Sequence, residues 1–208
     1  MSDSCCQNDI DVSALHARQR RILVIVLVIN AATFVMMVSA AAISGSSSLL
    51  SGALDNFGDA ATYALSLLVV GASGAAKARV ALFKGFLILG AAVAVAIQIA
   101  WRILHPETPV FEAMGIAALL NFGANLVCLR LLMPYRDGDV NMSSAWECSR
   151  NDVNEGIAVI AAALAVWAFD SGWPDLVIAA GLLLMFLRSA IRVLRRAWQA
   201  HLEPQRIR

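Results

Sequence analysis

The chain has 208 residues, 60% of them hydrophobic and 15% charged. A soluble domain of this size is typically about a quarter charged and less than half apolar, so the composition excludes an ordinary soluble globular protein and points to a membrane protein. The net charge of +1 says nothing about partners, because the charges are segregated along the chain, and no basic run with interleaved aromatics suggests nucleic-acid binding.

The chain opens with a polar tail, residues 1–20, that contains Cys5, Cys6, Asp9, Asp11 and His16. Thiolates beside carboxylates and an imidazole form a candidate capture site for a soft cation. The alternative is a disordered tail with reactive thiols, as is common at a terminus. The four cysteines, Cys5, Cys6, Cys128 and Cys148, have no spacing that suggests a disulfide framework. The apolar run after the tail is too long for the core of a cleavable signal peptide.

Six apolar runs follow, each near the ~20 residues a transmembrane helix needs. They cover 22–43, 48–72, 82–104, 111–133, 145–168 and 174–196. The fold expected is all-α: a polytopic membrane protein with six transmembrane helices. The helices form one domain over 21–197, with a short tail over 198–208. The connections are brief: a small, basic segment at 71–81, the proline-bounded HPETP at 105–109, a polar loop at 135–144 and the turn DSGWP at 170–174. Of the 16 Lys and Arg, only Arg102 falls at the end of the bundle opposite the others. Loops rich in Lys and Arg stay in the cytoplasm, so both termini are placed there. Glu107, Asp170 and Asp175 then lie at the outer end.

The second run, LLSGALDNFGDAATYALSLLVV, carries Asp55 and Asp59 at its centre. A carboxylate in the membrane costs a few kcal/mol even on lenient insertion scales (~3), and such groups usually mark ion or proton pathways. Four residues apart, the two share one helix face. Both ionise together only when a cation sits between them; otherwise they share a proton. The fifth run, AWECSRNDVNEGIAV, repeats the spacing with Cys148 and Asp152, and Glu155 continues that face. Counted from the cytoplasmic end, the two pairs lie at similar depth. Spans two and five side by side would bring Asp55, Asp59, Cys148 and Asp152 together, a donor set that suits Zn2+ or the softer Cd2+. Cys148 is also readable as a small buried apolar residue, and Glu155 as a proton relay or as the partner of a neighbouring helix. Cys128 reads as packing, and Asn30, Asn121 and Asn125 as interhelical hydrogen-bond donors, the last two equally able to line a pathway. Arg150 lies about 200° around the helix from Cys148 and Asp152, a poor place from which to pair with the site carboxylates.

These motifs resemble the cation diffusion facilitator family. Its second span reads S-x-x-L-x-x-D-(A/S)-x-(H/D)-x-x-x-D and its fifth H-x-x-x-D or D-x-x-x-D. SGSSSLLSGALDNFGDA fits the first at Asp55 and Asp59. CSRND fits the second at Asp152, with Cys148 where a histidine or aspartate stands in the family. The resemblance covers all six spans. It implies a transporter rather than an enzyme, and a short member, since most carry a cytoplasmic C-terminal domain that this sequence does not show. Gly52 stands where the motif often has a further acid.

The resemblance implies a metal/proton antiporter that exports Zn2+, and Cd2+ with it, from the cytoplasm across a bacterial-type inner membrane. Its partners are divalent metal ions, protons and a second copy of the chain, a homodimer formed through the membrane helices. Three rivals remain open: a carrier of Hg2+ or Pb2+ that relies on the cysteines, an intramembrane aspartyl protease built from paired aspartates, and a metal sensor that binds zinc without moving it.

Overall fold

The structure, a computed structural model, describes residues 17–68, 74–137 and 140–202. The tail residues Cys5, Cys6, Asp9, Asp11 and His16 lie outside the described residues. Among the described residues there is no strand. Six helices follow one another: α1 Ala17–Ser44, α2 Ser47–Leu68, α3 Gly74–Leu104, α4 Phe111–Leu132, α5 Val140–Phe169 and α6 Trp173–Leu202. A single 3-10 turn, Met133–Tyr135, follows α4.

The six runs read from hydropathy all become helices, but α3 and α5 begin several residues earlier than the apolar pattern does. The segment at 71–81, expected as a loop, is helical from Gly74, and the loop expected over 135–144 gives way to α5 at Val140. Hydropathy marks where a helix meets lipid, whereas the backbone continues into water wherever alanine and arginine keep helix propensity high. By length and composition alone α1, Gly85–Leu104 of α3, Phe111–Tyr135 and Ala145–Phe169 suffice to cross a membrane. Helices α2 and α4, the shortest, have 22 described residues each and reach ~33 Å, enough for a ~30 Å hydrocarbon core. Large apolar side chains such as Val35, Ile43, Ile97, Trp167 and Phe169 are exposed around the bundle. Patches on this scale belong against lipid.

Each helix turns one stripe inward. Leu23, Val26, Asn30, Thr33, Met37, Ala41 and Ser44 recur at three- and four-residue steps along α1, and Met114, Ala117, Ala118, Asn121, Asn125, Cys128 and Leu132 do so along α4. The closest packing is α4 on α5, α1 on α2 and α3 on α6. Helices α1, α2, α4 and α5 make a four-helix bundle, and the α3–α6 pair leans on it through α2 and, from α6, through α5. Leu54 of α2 packs among Ala92, Val95 and Ile99 of α3 and Ala179 and Leu183 of α6.

The outer end is held by backbone. Gly45 closes α1 with a φ of +72° and donates its N–H to Ala41 O at 2.8 Å, the left-handed cap that glycine favours. Val110 N–H donates to Ser44 O at 2.8 Å and ties the α3–α4 loop to the same turn. Gly172 passes so close to Glu107 that a Cβ would lie 2.5 Å from its carbonyl oxygen.

Candidate functional site

Two apolar clusters divide the four-helix bundle along its length. Met37, Ala41, Leu49, Ala53, Met114, Ala117, Val159 and Ala162 fill the outer half, and Leu23, Val26, Tyr63, Cys128, Leu132, Met142 and Ala145 the cytoplasmic half. Between them in sequence, on every helix of the bundle, lies a buried polar layer: Asn30 and Thr33 of α1, Asn56 and Asp59 of α2, Asn121 and Asn125 of α4, and Ser149 and Asp152 of α5. Buried polar groups at mid-membrane are costly unless partnered or functional.

Helix α5 presents this face because Ala145, Cys148, Ser149, Asp152, Gly156 and Val159 fall at helical spacing, and all are buried. Gly156 permits the close approach of α4, since a Cβ there would meet Phe122 Cδ2 at 3.1 Å. On α2, Asp59 is 2% exposed and Asp55 is half-buried.

The Asp55 and Asp152 carboxyl groups face one another across the α2–α5 contact, close enough to interact directly. Helices α2 and α5 run antiparallel, so this contact sets their register and leaves Asp59 level with Cys148, one turn nearer the cytoplasm. The candidate ligands thus stand as two levels, Asp55 with Asp152 and Asp59 with Cys148. Among the described residues no three His, Cys, Asp or Glu side chains close around one point. Glu155, three residues outward of Asp152, lies within electrostatic reach of both Asp55 and Asp59.

Three neighbours carry no obvious sequence signal. Tyr63 donates its hydroxyl to Asp59 Oδ2 at 3.4 Å, one turn below it on the same helix. Asn56 Nδ2 donates to Asn121 Oδ1 at 2.8 Å and joins α2 to α4 beside the site. Trp146 takes Arg150 over its ring at 5.2 Å, which holds that cation away from the carboxylates as its position on the helix predicts. Asn121 does bond across helices, but as acceptor. Asn30, expected to do so as well, donates to Val26 O of its own helix at 3.0 Å. Its carbonyl oxygen and that of Asn125 are buried without a partner. Cys128 is fully buried in the cytoplasmic apolar cluster, as packing requires.

The chain also matches the family model of the cation efflux transmembrane domain over residues 23–200. It belongs to that family, the cation diffusion facilitators, and is an integral membrane transporter of metal cations, not an enzyme. The aspartyl protease reading therefore falls. A search of curated proteins gives no match.

Proposed function

Taking that membership as premise, we propose that the chain exports Zn2+, and Cd2+ with it, from the cytoplasm in exchange for protons. Asp55, Asp59, Asp152 and Cys148 are its ligands. The observation that carries this reading is the close approach of the Asp55 and Asp152 carboxyl groups in the bundle. Two carboxyl groups that close, with no cation between them, hold a proton between them rather than ionise together. An entering divalent cation displaces that proton, because ligation requires the deprotonated form. Protons arriving from the outer side reverse the exchange and release the metal. The same oxygens thus carry cation and proton in alternation, which couples the two fluxes.

The facing levels explain selectivity. Three carboxylates, Asp55, Asp59 and Asp152, and the Cys148 thiolate make a four-donor set that suits zinc and cadmium, whereas Mg2+ and Ca2+ require six or more oxygens. Glu155, outward of the ligands, relays protons between them and the outer side. The open face of α3 supports a homodimer through the membrane helices: a Cβ at Gly90 would meet nothing within 4 Å, leaving room for a second copy to pack closely. The polar tail with Cys5, Cys6, Asp9, Asp11 and His16 captures metal near the cytoplasmic mouth, and the membrane is the inner membrane of a bacterial-type cell.

Zinc flux into proteoliposomes under an imposed pH gradient tests the proposal. Asp55→Ala and Asp59→Ala are expected to lose gradient-driven flux at least ten-fold. Normal flux in either variant would refute the site. Cys148→Ala separates the two soft-metal readings: a thiol that carries Hg2+ or Pb2+ alone would leave zinc flux intact when removed.

A further inference from the structure

A buried carboxylate at the outer end joins two helices that belong to different halves of the molecule. Asp175, in the first turn of α6, is 1% exposed and sits over the N-terminus of α2. Its Oδ1 accepts the Ser46 hydroxyl at 2.6 Å and the Ser48 N–H at 3.1 Å, and its Oδ2 accepts the Ser47 N–H at 2.6 Å. One turn further in, Ser51 Oγ donates to Ala179 O at 3.1 Å. Arg102, at the end of α3, donates to Gly45 O. Both members of the α3–α6 pair are thereby bonded to the start of α2 or the turn before it. Deeper in, the α2–α6 contact is apolar, with the Phe186 ring against Gly58.

Helix α2 already has a cap of its own, since Ser46 Oγ accepts the Leu49 N–H at 3.1 Å. Asp175 adds a negative charge at the positive end of the helix, supplied from α6. Such a contact is strong when made and leaves a buried carboxylate and several N–H groups without partners when broken. That is the behaviour of a two-position latch.

Its place in the pathway gives it a task. Asp55 lies seven residues inward of Ser48, ~10 Å along the helix. Between that point and the outer side, Leu182 of α6 packs with Leu49 and Ala53 of α2 and with Val159 and Val166 of α5. A cation leaving outward must part α6 from α2 there, and α6 cannot move off without giving up the bonds of Asp175. We propose that Asp175, acting through Ser46, Ser47 and Ser48, is the latch of the outer gate. Closed, it holds α6 on α2 and seals the metal site from the outer side; it opens once in each transport cycle. The inference rests on the family's efflux activity, but on neither the metal carried nor the ligand set. The competing arrangement is a fixed pivot at this end, about which only the cytoplasmic ends of α3 and α6 swing.

A reversible lock distinguishes the two. Ser51→Cys with Ala179→Cys joins α2 to α6 beside the latch and leaves Asp175 in place; Cys5 and Cys6 are changed to Ser in the same chain. The protein is reconstituted in liposomes, oxidised with diamide, then reduced. The flux followed is that of whichever of Zn2+, Cd2+, Co2+ and Mn2+ the unmodified chain carries, so a wrong metal assignment does not count against the latch. The latch predicts at least ten-fold loss of flux on oxidation, recovery on reduction, and retained metal binding from the cytoplasmic side. Flux unchanged by the disulfide establishes the pivot and overturns the proposal. Hydrogen exchange on the unmodified chain is the second arm. The Ser47 and Ser48 amides should exchange faster during metal turnover than without metal, and equal protection in the two states would overturn the latch independently of the cysteines.

Discussion

Gly156 offers the sharpest test of how the polar layer is held. A Cβ added there would meet Phe122 Cδ2 at 3.1 Å, Cβ at 3.5 Å and Cα at 3.6 Å. The last two are ordinary van der Waals distances, so the crowding lies at the ring edge, which must give by a few tenths of an ångström. With the ring held where it is, ordinary contact returns only if α5 moves from α4 by roughly 0.3–0.6 Å, and overpacking of this kind costs about 1–3 kcal/mol. Gly123→Ala is the control, since nothing lies within 4 Å of a Cβ at that position. Both substitutions gain the same helix propensity, about 1 kcal/mol, which cancels in the comparison. Gly156→Ala should therefore unfold about 1–3 kcal/mol more easily than Gly123→Ala in matched detergent, a gap of roughly 2–12 °C in Tm. Asp152 lies one turn below Gly156, so the same displacement moves its carboxyl away from that of Asp55 and should weaken metal affinity on the order of ten-fold. Thermal unfolding and equilibrium metal binding on the two variants check both statements. Equal stability and equal affinity would mean that α4 and α5 do not meet at Phe122 and Gly156, and the register assigned to Asp152 would fall with that contact.

Two further outcomes follow from the layer. Asn56→Ala leaves the Asn121 carbonyl oxygen buried without its donor and should cost about 1–3 kcal/mol of stability, while Asn56→Leu with Asn121→Leu should recover most of the loss; a double-mutant cycle by detergent unfolding reads the coupling. Cys148→Asp replaces a soft donor by a hard one at the level of Asp59, so the ratio of cadmium to zinc affinity should fall on the order of ten-fold in competition binding. An unchanged ratio would return Cys148 to the role of a packed small residue.

Much of this was readable in the chain before any helix was placed. Asp55 with Asp59, and Cys148 with Asp152, follow a four-residue step that puts each pair on one face, and a carboxylate in an apolar run stands out by its cost alone. Arg150 was correctly turned away from the site by its angle on the helix. What escaped notice is what depends on tertiary contact. Asp175 reads in sequence as an acid at the mouth of an outer turn, yet it accepts hydrogen bonds from residues 127 to 129 positions away. Asn56 reads in sequence as a residue between two aspartates, and only the packing shows that it donates to α4; the Tyr63 bond to Asp59, four residues away on the same helix, needs no tertiary contact. Asn30 was misread because a buried amide satisfies its N–H within its own helix as readily as across to another. The early starts of α3 and α5 escaped for a different reason: hydropathy falls where the helix leaves the lipid, and the hydrogen bonds of the helix do not.

The position of α2 accounts for the rest of the architecture. Among the described residues it is the helix that buries the most polar side chains, and it does not meet the apolar standard by which α1 and α4 qualify as membrane helices. It is tolerated because it is the most enclosed: α1, α4 and α5 surround it on one side and α3 and α6 on the other. A helix in that position touches both halves of the molecule, so a change in the charge state of Asp55 or Asp59 is felt at the contacts α2 makes with each. With two of the proposed ligands, Asp55 and Asp59, on the shared helix, the binding and loss of a cation would bias how the halves sit against each other. Alternating access needs that link, because a ligand shifts a conformational equilibrium only through contacts that differ between the two states.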